Sequence, residues 1–280
     1  MANTSEMSVS ERDEEVAGTP LHWREAPSVD PARAPVLYLH GNPTDGADFL
    51  SFLTRAGGIA PDLPGFGRSG KSSTFDYSID GYADFLEAFV DHLGLDRFSL
   101  VVHDWGGVGL ALAQRRPDSL ERLVITNCVP LLPGYRWHRW ARLWRRAVVG
   151  ELTMGFTTRF AFRRSLREAF VTRGSALDEL AERAWAGFDH GTQRAVLKLY
   201  RSASPEVLEA AGSRLGEITA PALVAWGERD PYISTDFAQA YADALGGETR
   251  VELIPAAGHW PWLDRPDLVE QIVAFLDEGD

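Results

Sequence analysis

Phe98-Ser99-Leu100-Val101-Val102-His103-Asp104-Trp105-Gly106-Gly107-Val108-Gly109 is the stretch that decides how this chain folds. Phe98 to Val102 is an apolar run of the kind carried by a strand buried on both faces. The residues His103 to Gly107 then turn sharply, and the small-residue stretch Val108 to Gln114 predicts a helix that ends before Pro117. A strand, a tight turn and a helix form the repeating unit of a parallel sheet.

The same alternation extends in both directions. Upstream, a strand is predicted near Leu21 to Glu25 and a buried one at Pro35 to Leu39, broken by His40-Gly41-Asn42-Pro43. Gly58 to Ser69 is rich in glycine and proline and reads as a constrained turn that supports a pocket. Ile79, Tyr82, Ala83, Leu86, Phe89, Val90 and Leu93 recur at helical spacing and predict an amphipathic helix that ends at Gly94. Downstream, Arg122 to Thr126, Pro221 to Trp226 and Arg250 to Ile254 predict strands, with helices over Thr235 to Leu245 and Asp267 to Leu276. These patterns predict an α/β fold: a mostly parallel twisted sheet with helices on both faces and right-handed crossovers.

From Pro130 to about Gly216 only helical patterns occur, with clustered Trp and Arg, so a helical lid is expected to be inserted here. The resulting division is a flexible leader over 1–16, core over 17–130, cap over 131–216 and core over 217–280. Ten arginines lie between Arg136 and Arg173, and they are expected to form a solvated face.

With 45% hydrophobic and 24% charged residues, the chain of 280 residues can bury a large core. Its net charge of −12 speaks against a nucleic-acid surface, which needs a basic field. Cys128 is the only cysteine, so no internal disulfide can form, and a reducing cytoplasm suits the chain. No apolar run approaches the roughly 20 residues of a membrane span. The expected partners are a small apolar substrate and water, with no metal, cofactor, nucleic acid or membrane, in a monomer or homodimer.

In open α/β sheets, reactive groups sit just beyond the carboxyl ends of strands. Asn42, Asp104, Trp105, Asp230 and His259 qualify. Each also has a plainer reading: Asp104 as a helix cap, Asp230 as part of an Asp-Pro turn, His259 as a structural loop histidine. Two features outweigh these readings. Val101 to Gly107 has the layout of a nucleophile elbow with aspartate in place of serine, and Asp104, Asp230 and His259 follow the order nucleophile, acid, histidine.

With these residues in view, the chain resembles the haloalkane dehalogenase and epoxide hydrolase branch of the α/β hydrolases over almost its whole length. The resemblance rests on His40-Gly41-Asn42-Pro43, the Asp62 to Ser69 loop, His103-Asp104-Trp105-Gly106 and Gly258-His259. It implies an ester formed on Asp104, with His259, oriented by Asp230, activating the water that hydrolyses it. It further implies that Asn42 and Trp105 stabilise a departing halide, which then remains as a product. Asn127 stands where another subgroup carries its acid and cannot serve as one.

Two reactions stay open. Asn42 and Val102 favour dehalogenation, because epoxide hydrolases commonly carry an aromatic and a glycine at those places. Tyr200, with Tyr135 as a second candidate, resembles the lid tyrosines that protonate an opening epoxide. Both tyrosines could equally pack an amphipathic face. A non-catalytic binding protein on the same fold is the third reading.

Overall fold

A computed structural model describes residues 7–30 and 32–278. Eight strands form one sheet: β1 (Ser10–Val16), β2 (Thr19–Ala26), β3 (Val36–Leu39), β4 (Gly58–Pro61), β5 (Phe98–Asp104), β6 (Leu120–Cys128), β7 (Ala222–Gly227) and β8 (Thr249–Ile254). Their order is β1-β2-β4-β3-β5-β6-β7-β8. β1, β2 and β4 pair antiparallel, and all pairings from β4 through β3 to β8 are parallel. The chain leaves β3 for β4 on one side and returns to β5 on the other. That reversal opens a crevice at the carboxyl ends of β3 and β5.

Leu100, Val101 and Val102 of β5, and Leu123, Val124 and Ile125 of β6, are wholly buried although successive side chains point to opposite faces. Both faces of the sheet are therefore covered. Helices Ile79–His92 and Gly109–Arg115 pack together, as do Leu50–Ala56 and Asp267–Asp277. Ser78 caps the Ile79–His92 helix by accepting from the Gly81 N–H. Between β6 and β7 every regular element is helical: Arg139–Trp144, Val149–Gly155, Arg159–Leu166, Ser175–Gly187, His190–Ser202 and Pro205–Ala211.

Two local expectations are corrected. The flexible leader holds for none of Ser10–Val16, which pairs as β1 with β2; residues 1–6 lie outside the described residues. The sequence Ser-Glu-Arg-Asp-Glu-Glu-Val buries only Val16, so an edge strand of this kind shows no apolar alternation. Its charges are used across the surface instead: Arg12 pairs with Glu25, Arg68 with Glu11 and Asp13, and His92 with Glu14. The second correction is Gly58–Pro61, expected as turn and found as β4. Glycine and proline disguise a strand this short.

Candidate active site

β5 ends at Asp104 with φ 49 and ψ −119, a conformation that costs a non-glycine residue energy and persists only when its surroundings enforce it. The enforcing contacts are close. A Cβ added at Gly106 would lie 2.0 Å from the Leu39 carbonyl oxygen, and one at Gly41 would lie 2.4 Å from the Asp104 Cβ. Only glycine fits either place. The Asp104 carbonyl accepts from Val129 N–H at 3.0 Å, anchoring the turn to the end of β6. The side chain makes no capping bond to the following helix, so the plainer reading of Asp104 does not describe it.

The Asp104 carboxyl is buried, and its Oδ2 accepts from the backbone N–H of Asn42 at 2.8 Å. Burial pushes this acid above the usual carboxylate range, against the opposing pull of His259 and of the Asn42 and Trp105 backbone N–H groups. Oδ1 lies 3.8 Å from His259 Nε2, too far for a hydrogen bond. One oxygen is thus held by the Asn42 amide and the other faces the imidazole.

On its other side, His259 Nδ1 meets Asp230 Oδ2 at 2.8 Å. That carboxylate also accepts from Asn127 Nδ2 at 2.7 Å, from the Tyr232 N–H at 2.7 Å and from the Ile233 N–H at 3.3 Å. A fully bonded carboxylate is a fixed orienting group, and it sets the histidine proton on Nδ1 and leaves Nε2 basic toward Asp104. The His259 N–H donates to the Ala169 carbonyl at 2.8 Å, and His103 Nε2 donates to the His259 carbonyl at 2.8 Å. The loop is further tied by Asp264, which accepts from Gly258, Val171 and Thr172 N–H groups.

Burial disfavours a charged His259, yet the carboxylates of Asp230, Asp104 and Asp48 outweigh it and raise its pKa above the ordinary 6.5. A base must be neutral to take a proton, so an activity that uses His259 in this role falls as pH drops through that raised value. The expected kcat profile therefore has an acid limb above pH 6.5, shifted downward by Asp230→Asn. A limb in the ordinary carboxylate range for both proteins would exclude His259 as the titrating base.

Of the remaining predicted residues, Asn42, Tyr135 and Tyr200 join Asp104 and His259 in lining a cavity of about 290 Å³, whereas Trp105 packs against two of its lining residues, Trp137 and Tyr200, and does not itself line it. Asn42 Nδ2 donates to the Tyr200 hydroxyl at 3.4 Å. The Tyr200 ring meets Trp105 edge-on at 5.0 Å and is also packed against Trp137 and Trp144. Burial and the Asp104 charge raise the Tyr200 phenol well above its ordinary pKa, although the Asn42 amide pulls the other way. The phenol is thus neutral near neutral pH. The Trp105 indole N–H and the Tyr135 hydroxyl are buried without a hydrogen-bond partner. Trp137 donates to the Ala203 carbonyl at 3.0 Å and so offers no free N–H.

Two residues escaped the sequence reading, and a third has a role it did not foresee. Asp48 is a buried carboxylate that accepts from Thr44 Oγ1 at 2.5 Å and from Trp260 Nε1 at 3.1 Å, and it pairs with Arg183 of the helical insertion. An acid in a polar loop carries no sign of its burial. His138 lines the cavity, and burial lowers its pKa to about 4, so it is neutral there. Asn127, excluded as an acid, turns out to hold the acid: its Oδ1 accepts from Gly227 N–H at 2.9 Å while its amide donates to Asp230.

Residues 34–266 match the α/β hydrolase fold family. The chain is 30% identical to a haloalkane dehalogenase of Bradyrhizobium diazoefficiens, covering 92% of this chain and 91% of that protein. It is 28% identical to haloalkane dehalogenase 2 of Mycobacterium tuberculosis, covering 84% and 85% respectively. Among solved structures, a haloalkane dehalogenase from Bradyrhizobium elkani superposes with a TM-score of 0.79 at 27% identity, over 96% of this chain and 98% of that one.

Proposed function

This chain belongs to the α/β hydrolase fold family, in its haloalkane dehalogenase branch, and we propose that it cleaves a carbon–halogen bond through an ester on Asp104. The observation that carries the reading is the division of labour at the Asp104 carboxylate. Oδ2 is held by the Asn42 N–H at 2.8 Å, while Oδ1 faces His259 Nε2 at 3.8 Å.

In the first step Oδ1 attacks the halogen-bearing carbon in line, a C–O bond forms, and halide departs with the bonding electron pair. No proton moves. The Asn42 amide, which lines the cavity, and the unpartnered Trp105 indole N–H are the donors assigned to the leaving group, and neither carries a charge. In the second step His259 takes a proton from water as the water oxygen adds to the ester carbon. The oxyanion then develops on the oxygen already facing the Asn42 and Trp105 N–H groups, each worth roughly 3 kcal/mol at comparable sites. Collapse expels the alcohol, which takes the proton from His259; the carboxylic acid left at Asp104 then loses its proton to solvent, so that alcohol, halide and one proton are the products and the carboxylate is restored.

One observation favours a second reading, epoxide hydrolysis. The proton-bearing Tyr200 hydroxyl stands 3.4 Å from the Asn42 amide, where it could protonate a ring oxygen as the same ester forms. The two substitutions Asn42→Ala and Tyr200→Phe separate the reactions. Under the proposed one, Asn42→Ala lowers kcat/KM for a bromoalkane on the order of 100-fold. Tyr200→Phe would matter comparably only for an epoxide. Halide release by ion chromatography and diol formation by gas chromatography measure both, and indifference of both reactions to both changes would discard this assignment of the pocket's polar groups.

A further inference from the structure

Among the described residues ten large apolar side chains are exposed, and five of them crowd into one short stretch: Val148, Val149, Leu152, Phe156 and Phe160. Val149 and Leu152 are neighbours one turn apart on helix Val149–Gly155; Phe156 closes that helix, and Phe160 lies in the first turn of helix Arg159–Leu166. Phe156 and Phe160 are 79% and 78% exposed. A cluster of this kind on a protein surface marks a contact.

The charge around it identifies the partner. Residues 136–173 hold ten arginines against two acids, Glu151 and Glu168, within a chain of net charge −12. Arg139, Arg159 and Arg163 are matched by Glu168, Glu182 and Asp178. Arg136, Arg142, Arg146, Arg164, Arg167 and Arg173 have no carboxylate partner among the described residues. A second copy docked two-fold on this face would oppose arginine with arginine. Arg146 stands two residues before Val148, and Arg164 lies one turn on from Phe160 in helix Arg159–Leu166. Exposed apolar side chains with unpaired arginines next to them match a surface of anionic lipid, where the apolar groups enter the acyl boundary and the guanidinium groups meet phosphates.

The patch also opens on the site. Phe156 and Ala161 are exposed and, with Met154 and Thr157, line the cavity that contains Asp104. We propose that this face docks peripherally on anionic lipid, setting the cavity mouth against the bilayer from which an apolar substrate partitions. No described helix is long and apolar enough to cross a membrane, and surface docking needs none. The expectation of no membrane partner rested on spanning segments alone. The proposal is independent of which bond the site cleaves.

Sedimentation with vesicles of phosphatidylcholine, alone or mixed with phosphatidylglycerol, tests it. The full chain is expected to bind the mixed vesicles, less so at high salt, and to bind roughly tenfold more weakly as Leu152→Ser/Phe160→Ser. Neither of those residues lines the cavity. Thermal unfolding reports whether that variant is folded, and Arg146→Glu/Arg164→Glu gives a second variant with the same expected loss. Absence of binding, equal binding to both vesicle types, or parental binding by both variants would overturn the proposal. So would a change in elution volume on gel filtration caused by the apolar double variant, which would assign the face to a second copy.

Discussion

His259→Gln is expected to stop the enzyme halfway, with Asp104 esterified and turnover reduced by roughly 1,000-fold or more. Glutamine is neutral and lacks a basic nitrogen, so it cannot take the proton from water. The first step uses only the Asp104 carboxylate and needs no base. The variant should fold, because the buried Asp230 carboxylate keeps its bonds from Asn127, Tyr232 and Ile233. Incubation with a dibromoalkane and, separately, with styrene oxide, followed by peptide mass spectrometry, locates the added mass. Label on the peptide containing Asp104 from the dibromoalkane alone is the expected result. Label from styrene oxide alone would select the epoxide reading, and no label from either would remove both.

Asp104→Asn is expected to abolish turnover by about 10⁴-fold or more and, in the same protein, to raise Tm at mildly alkaline pH. The reason is linkage. Burial holds this acid above its ordinary 3.8, so the folded state binds the proton more tightly than the unfolded chain does. Stability from this group is present at low pH and is lost as pH rises through the window between 3.8 and the raised value. Above that window the charge is a cost to folding. Asparagine removes the charge, keeps the shape and offers its carbonyl oxygen to the Asn42 N–H. Calorimetry showing a Tm rise of a few degrees, at about 2–4 °C per kcal/mol for a domain this large, would support the account. A lower Tm or retained turnover would count against it.

Both effects have one origin. The turn at Asp104 concentrates an unfavourable φ, a buried charge and close glycine contacts in a few residues. Such local costs persist where the surrounding sheet supports them and the chemistry uses them.

The legible parts of this protein were those whose causes are local. Apolar runs marked β3, β5, β6 and β7, because strands buried on both faces must be apolar throughout. Helical spacing marked Ile79–His92, and the small residues after Asp104 marked the turn. Where burial was one-sided or weak, the pattern vanished. β1 is seven residues with one buried, and β4 is four residues that include glycine and proline. The site followed the same division. Strand ends and chain order singled out Asp104, Asp230 and His259, but nothing near Asp48 reveals that its carboxylate is enclosed by Thr44, Trp260 and Arg183.

The amino-acid sequence by itself determined the alternation of strands and helices, the glycine turn and the identity of the groups proposed to react, because each depends on neighbours a few residues away. Only the tertiary structure decided which oxygen of Asp104 faces His259, that the Tyr200 hydroxyl stands beside the Asn42 amide, and that Asn127 steadies Asp230 across 103 residues of chain. Those are contacts between distant segments. Their distances follow from how the sheet and the inserted helices pack, and that packing is the sum of contacts along the whole chain.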